Sequence, residues 1–185
     1  DVVVLNDPYH GAQHLPAVFT LLPLFHEGAL LGFAGCMGHQ IDVGGRAAGS
    51  FGGDATDIFN EGLRLPPVKL YEAGRPNRAV FDIIRTNIRE PDKTMGDLAS
   101  QVASLHVGER ELRRLIARYG TGIIAAAVDA LIRYSETRMR ARITEVPDGT
   151  YRWEDVLDDD GISAGPIAIR AAITVLGSDV VVDFT

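Results

Sequence analysis

The sequence predicts an α+β fold, with a strand-rich N-terminal part, a central helical hairpin or bundle and C-terminal β-hairpins. Three observations predict it. Short apolar runs between turn residues fill residues 1–77, apolar residues recur at helical spacing through residues 78–145, and alternating strand-like runs return in residues 146–185. Strands and helices are thus segregated along the chain, which favours α+β over a repeating βαβ fold.

The first part is predicted to consist of strands and loops. A β-branched strand over residues 2–5 ends at an Asn-Asp-Pro turn signal, and apolar strands over 18–25 and 29–37 flank a compact polar turn, which predicts a hairpin. Both of these strands are apolar on both faces, so we expect a sheet that is buried on both sides. Residues 44–53 form a long glycine-rich loop, a kind that is usually functional or mobile.

Three helices are predicted in the second part. Residues 78–89 carry apolar side chains at helical spacing, and Pro91 suits the first turn of the next helix. That helix ends at Tyr119-Gly120, and the third covers about residues 121–142. Strands follow over residues 151–157, 167–176 and 180–184. Because the chain begins and ends in strand-like runs, we expect residues 1–185 to be one domain or a fragment of a larger subunit.

Composition narrows the classes of function. The chain is 46% hydrophobic with a net charge of −7 and no basic patch, so nucleic acid is not an expected partner. No apolar run reaches the roughly 18 residues of a membrane span. The single cysteine, Cys36, excludes a disulfide within the chain and favours the cytoplasm; its apolar strand predicts a buried, inert thiol.

Histidines and aspartates cluster near the ends of two predicted strands. Asp7, His10 and His14 follow the first strand, and His39 and Asp42 follow the third. If these two strands are neighbours, both loops meet at one sheet edge, where carboxylate and imidazole ligands suit Zn, Mn or Fe. The alternative is that Asp7 caps a turn and that the histidines are exposed turn residues.

Five motifs in order resemble the hydantoinase B/5-oxoprolinase family, which includes a large subunit of the acetone and acetophenone carboxylases. They extend over residues 1–161, which is most of the chain. The motifs are NDPYHGAQHLP, GHQIDVGG, EGLRLPPVKLY, GDLASQVASLHVGERELRRLIARYG and PDGTYRWEDVLDDDG.

The resemblance implies the metal-bearing part of an ATP-dependent hydrolase that opens a lactam or imide ring. It implies a cytoplasmic hetero-oligomer with a hydantoinase A-type subunit, which holds the ATP. Carried over by position, Asp7, His10 and His39 are expected as ligands of a divalent Mn, Zn or Fe ion. Asp42 is expected as a further ligand, a partner of His39 or a proton carrier, and His14 as a catalytic group near the substrate.

The chain departs from the family pattern at three positions. Ala12 replaces a second glycine, Ala17 replaces an aspartate, and Gln40 replaces a histidine or an aromatic residue. Two other functions therefore stay open. One is a subunit of an ATP-dependent ketone carboxylase, which the same residues fit. The other is a non-catalytic assembly module, which the loss of the aspartate at position 17 favours.

Overall fold

The computed structural model describes residues 1–163 and 165–185, which divide into two compact units. The first unit is Asp1–Arg114 and the second is Leu115–Thr185. The boundary between the two units lies within a long helix. Strands, then helices, then strands follow one another along the chain, which confirms the predicted α+β class.

The first unit is built on a five-stranded antiparallel sheet. Its spatial order is β3-β2-β1-β4-β5. Glu27 and Gly28 join β2 to β3 with positive φ angles of 50° and 82°, the two-residue turn that matches the twist of a hairpin. The predicted hairpin is confirmed. The strands are β1 (Val2–Leu5), β2 (Ala17–His26), β3 (Ala29–His39), β4 (Val68–Glu72) and β5 (Arg75–Pro76).

Two helices cover one face of this sheet. Helix α1 is Arg78–Asn87, and α2 begins at Pro91 and ends at Tyr119, so both predicted breaks are confirmed. The apolar stripes of the two helices pack on β1, β2 and β4. The most deeply buried side chains of this core are Val4, Leu15, Leu70, Leu98 and Leu105.

The opposite face of the sheet is exposed, so the expectation of a sheet buried on both sides is wrong. Phe33 on β3 is 62% exposed, and Met37 lies on the same face. The positions of β3 that face the helices hold small residues, because α2 passes close to this strand. A side chain at Gly38, for example, would meet Gln101 of α2. Cys36 also faces the helices and is half-buried, not fully buried as predicted.

The second unit combines one helix with a three-stranded antiparallel sheet. Arg140 on the helix bonds Asp179 at 2.7 Å, which ties the helix to the last hairpin. Apolar side chains such as Leu131 and Trp153 are exposed in this unit. Its elements, α3 (Thr121–Ile143), β6 (Gly149–Leu157), β7 (Ile167–Leu176) and β8 (Asp179–Asp183), agree with the predicted segments.

Within the described residues, no single helix has both the length and the apolar character of a membrane span. Only α2 and α3 taken together, across the break at Gly120, pass that test by length and composition.

The packing of α2 on the sheet predicts opposite outcomes for two valines of the same helix. Val102 is 8% exposed in the core, whereas Val107 is 46% exposed. Val102→Ala in the full-length protein should lower the free energy of unfolding by about 2 kcal/mol, because it leaves a cavity. Val107→Ala should change it by less than about 0.5 kcal/mol. Equal effects in chemical denaturation would contradict this packing.

Candidate active site

The loops that carry the predicted site residues meet at one edge of the five-stranded sheet. β1 and β3 are both antiparallel to β2, so they run parallel to each other and end at the same edge. The sequence-based expectation of a shared edge assumed that these two strands are neighbours. They are not, because β2 lies between them. The loops still share an edge, since β2 starts there with Ala17 opposite His39.

A buried asparagine fixes the course of the first loop. The Asn6 side chain donates to the carbonyl oxygens of Leu15 at 2.7 Å and Leu63 at 2.8 Å, and it accepts from the Leu65 amide at 2.6 Å. The backbone N–H of Asn6 also donates to the Leu65 carbonyl oxygen. Three stretches of chain are therefore joined directly beside Asp7.

Asp7 and His10 form a hydrogen-bonded pair. Asp7 caps the short 3₁₀ turn Pro8–His10 by accepting from the Tyr9 amide, and its other oxygen lies 3.0 Å from Nδ1 of His10. Burial would raise the pKa of Asp7, but the Tyr9 amide, the His10 ring and the charge of Arg64 together hold it below its usual value. Asp7 is therefore ionised at neutral pH, while the His10 ring is exposed.

His14 and His39 meet at the same edge, although they lie 25 positions apart in sequence. Their ring centroids are 5.1 Å apart, and Phe51 of the glycine-rich segment stacks on His39 at 5.7 Å. His39 is exposed and His14 is half-buried. The structure thus brings His39 next to His14, whereas His10 is paired with Asp7.

Asp42 organises the glycine-rich segment. Its two oxygens accept from the amides of Gly44, Gly49 and Arg89 and from the Arg89 guanidinium. Within the described residues none of its hydrogen bonds goes to His39. Burial would raise the pKa of Asp42, but the Arg89 and Gly44 amides, the Arg89 guanidinium and the Gly49 amide hold it below the usual value.

The glycine-rich segment is a built loop. Arg89 donates to the carbonyl oxygens of Gly44, Gly45 and Ala47 as well as to Asp42. Gly44 has a φ of 90°, and a side chain there would collide with the carbonyl oxygen of Asn87 at the end of α1. The glycine-rich segment can therefore lie against the end of α1 only because position 44 is a glycine.

An open cleft of about 500 Å³ lies beside His14. Tyr9, Asp57 and Glu61 are among the side chains that line it. Asp57 caps a second 3₁₀ turn, Ile58–Asn60. The aromatic rings around the site are strongly exposed: Tyr9 is 77% and Phe59 is 75% exposed. Exposed rings beside imidazoles form a surface that can hold a flat organic molecule.

The described residues contain no group of three or more His, Cys, Asp or Glu arranged to hold a metal ion. The expected set of Asp7, His10 and His39 is thus not assembled as one group. The two imidazoles that meet are His14 and His39, whose ring centroids lie 5.1 Å apart. Two imidazoles on one tetrahedral ion at roughly 2 Å have a similar spacing. The described residues therefore supply two neighbouring imidazoles, with no third His, Cys, Asp or Glu grouped with them.

Two arginines that were not predicted from the sequence belong to the site. Arg89 holds the glycine-rich segment, and Arg64 lies 3.5 Å from Asp7. Arg64 belongs to the quoted motif EGLRLPPVKLY, which was the available signal. Two of the departures also lie at this edge: Ala17 is paired with His39, and Gln40 is buried against Gln101. An aspartate at position 17 would lie beside the His39 ring.

Comparison with known proteins confirms the resemblance. The family model for hydantoinase B/oxoprolinase matches residues 1–185. The chain therefore belongs to the hydantoinase B/oxoprolinase family.

Three relatives illustrate the family. A protein named as the B-type subunit of a D-/L-hydantoinase from a Pseudomonas species is 38% identical over the whole chain, which covers 32% of that relative. The beta subunit of caprolactamase from Pseudomonas jessenii is 35% identical over 97% of the chain and 31% of the relative. The acetophenone carboxylase delta subunit of Aromatoleum aromaticum is 25% identical over 89% of the chain and 24% of the relative.

The fold agrees with a solved structure. The crystal structure of ATP-dependent caprolactamase from Pseudomonas jessenii superimposes with a TM-score of 0.92 at 35% identity, over 98% of this chain and 31% of that one. The chain spans about a third of the length of the hydantoinase and caprolactamase subunits that it matches.

Replacing the Asn6 amide predicts a large loss of stability. Asn6→Asp keeps the shape but turns a donor towards two carbonyl oxygens into an acceptor. The full-length protein should lose about 3 kcal/mol of unfolding free energy, because a buried network is broken and a charge is buried. Asn77→Asp is the control, since Asn77 is half-buried and its side-chain amide makes one bond. A small effect of Asn6→Asp in chemical denaturation would count against the proposed link.

The Asp42 contacts predict a pH-dependent contribution to stability. Because its pKa is lower in the folded chain than near 4 in the unfolded chain, this contribution is complete above that value. It is lost as the pH falls through the folded pKa. Asp42→Asn should cost about 2 kcal/mol at pH 7, and the cost should shrink below about pH 4.

Unfolding of the parent and of Asp42→Asn across this pH range measures the difference. Asp54→Asn, in the exposed pair with Arg46, is the control and should cost little at any pH. A constant difference for Asp42→Asn between pH 7 and pH 3 would show that its ionised form does not hold the loop.

Proposed function

We propose that this chain forms the carbonyl-activating part of an ATP-dependent cyclic amide hydrolase of the hydantoinase/oxoprolinase type. The observation that carries the proposal is the meeting of His14 and His39 beside an open cleft, next to the hydrogen-bonded Asp7–His10 pair. The names of two relatives, one a hydantoinase component and the other a caprolactamase component, support a cyclic amide as the substrate.

A ring amide is a weak electrophile, so its carbonyl must be activated before water attacks. We propose that His14 and His39 hold a divalent Mn, Zn or Fe ion, with Asp7 or a residue outside this chain as a further ligand. Such an ion polarises a carbonyl oxygen and lowers the pKa of bound water.

The Asp7–His10 pair suits proton transfer. The Asp7 carboxylate engages Nδ1 of His10, which fixes the ring and leaves Nε2 directed away from that contact. A histidine oriented in this way can take a proton from water and return it to the ring nitrogen that leaves. The role of His10 would then be acid–base chemistry rather than metal binding.

We assign Asp42 a positioning role in this proposal. Its four hydrogen bonds hold the segment that carries Phe51 against His39. A carboxylate whose lone pairs are occupied by donors is poorly placed to carry protons. Its contribution to catalysis would therefore pass through the loop and the His39 ring.

We propose that ATP is bound by a hydantoinase A-type partner in a cytoplasmic hetero-oligomer. The sequence contains no GxxxxGK[ST] phosphate-binding pattern. The relatives named above are each described as a subunit, which supports assembly with other chains.

A ketone carboxylase subunit is the second candidate, and the acetophenone carboxylase relative favours it. That relative is 25% identical, compared with 38% and 35% for the two hydrolase relatives. The same residues would activate a ketone oxygen, so product identity separates the two functions. A ring-opened amino acid or N-carbamoyl acid indicates a hydrolase, and a β-keto acid indicates a carboxylase.

The first experiment is to incubate the full-length protein and an A-type partner with ATP and a cyclic amide. We expect ring opening that needs both proteins. His14→Ala and His39→Ala should each lower kcat/KM by about 100-fold and remove metal from the purified protein, because each deletes a proposed ligand. Elemental analysis of the parent should find about one metal ion per chain.

His106→Ala is the matched control, because His106 is an exposed histidine of α2 that pairs with Glu109. It should keep both the metal and the activity. Metal that stays bound in His14→Ala and His39→Ala would refute their role as ligands. A folded, metal-free parent that opens no ring with any partner would favour an assembly module.

A further inference from the structure

We propose that Arg64 binds an oxyanion of the reacting species, either a carboxylate on the substrate or a phosphoryl group presented by the nucleotide that the partner subunit holds. The inference deepens the proposed function and rests on it. Arg64 lies at the same edge of the sheet as the histidines, and its guanidinium makes no hydrogen bond to any residue that the structure describes. The proposal says which chemical group this guanidinium binds.

Two aromatic rings hold the Arg64 guanidinium in place. Its central carbon lies 5.2 Å from the centroid of the Phe59 ring and 5.8 Å from that of Tyr9. Contacts of a cation with ring faces restrict the long side chain to one region. The rings come from two different turns, so the position of Arg64 depends on the fold of both.

Asp7 restrains the inner side of the guanidinium. Nε of Arg64 lies 3.5 Å from an Asp7 oxygen, which is too far for a normal hydrogen bond. That carboxylate already accepts from the Tyr9 amide and contacts His10. Asp7 therefore attracts Arg64 without occupying its outer nitrogens.

The outer nitrogens of Arg64 make no hydrogen bond to any residue that the structure describes, and about a third of the side chain, 35%, is exposed. Arg89 makes four side-chain bonds and Arg85 pairs with Asp92. Arg75 and Arg78 also have no partner among the described residues, but of these arginines only Arg64 lies over two aromatic rings and beside a buried carboxylate. A restrained, partly desolvated fork of N–H donors matches the two oxygens of a carboxylate or phosphoryl group.

The position suits a group attached to the reacting molecule. Tyr9, which contacts Arg64, also lines the cleft beside His14, and Asp7 links Arg64 to His10. An anion bound at Arg64 would therefore lie beside Asp7 and Tyr9, which connect it to His10 and to the cleft that His14 lines. A molecule without an anionic group would leave this arginine unpaired, so Arg64 would also contribute to substrate selection.

Direct binding to the full-length protein tests the proposal without any turnover. The probes for calorimetry are inorganic phosphate, a five-membered lactam that carries a carboxylate beside the ring nitrogen, and the same lactam without the carboxylate. The parent should bind at least one of the two anions. Arg64→Gln should weaken that binding by about tenfold or more, and Arg64→Lys by less, since it keeps the charge and loses the fork.

Arg85→Gln is the matched control, because it removes an exposed arginine that already has a partner. It should bind the probes as the parent does, and all variants should keep the parent's thermal midpoint. Loss confined to the lactam carboxylate identifies a substrate carboxylate as the ligand. Loss confined to phosphate identifies a phosphoryl group.

Two results would overturn the proposal: binding of neither anion by the parent, or equal binding by the parent and Arg64→Gln. Ring opening by the parent complex is measured separately. If the parent complex opens the ring and Arg64→Gln binds anions as the parent does, the role of Arg64 is refuted and the proposed hydrolase stands. Anion binding through Arg64 in a parent without activity would refute the proposed hydrolase alone.

Discussion

The sheet edge that carries the candidate site depends on the buried side-chain amide of Asn6. One side chain joins the end of β1 to the start of β2 through Leu15 and to the segment before β4 through Leu63 and Leu65. An amide can do this because it carries donors and an acceptor on one planar group. The turn with Asp7 and His10, the loop with His14 and the position of Arg64 all start from this connection.

Two aspartates that look alike in sequence have different tasks in the fold. Asp7 keeps one oxygen close to an exposed imidazole and to Arg64, at the surface of the site. Asp42 is enclosed by backbone amides and Arg89, and it shapes the glycine-rich segment from within. Both carboxyl groups have a lowered pKa, but the groups that lower it differ. For Asp7 they are mainly the Tyr9 amide and the His10 ring of its own turn, and for Asp42 the largest is the backbone amide of Arg89, far away in sequence.

The uneven covering of the sheet explains why its two faces are so different. Helices α1 and α2 bury one side, where β3 has small residues that allow close approach. The other side presents Phe33 and Met37, and it ends at His39. The site thus lies at the corner between a sheet edge and an exposed apolar face.

The order of strands and helices, their bounds and the family follow from the sequence alone, because periodicity, turn residues and motifs are local signals. The position of Asp7, His10, His14 and His39 at one edge of the sheet could also be predicted, since the first three follow β1 and His39 is the last residue of β3. Their partners could not. Whether His39 meets His14 or Asp42, and whether Arg64 or Arg89 has a free guanidinium, depends on contacts between residues far apart in the chain. Only the tertiary structure decides those contacts, because strand order and loop packing bring the residues together.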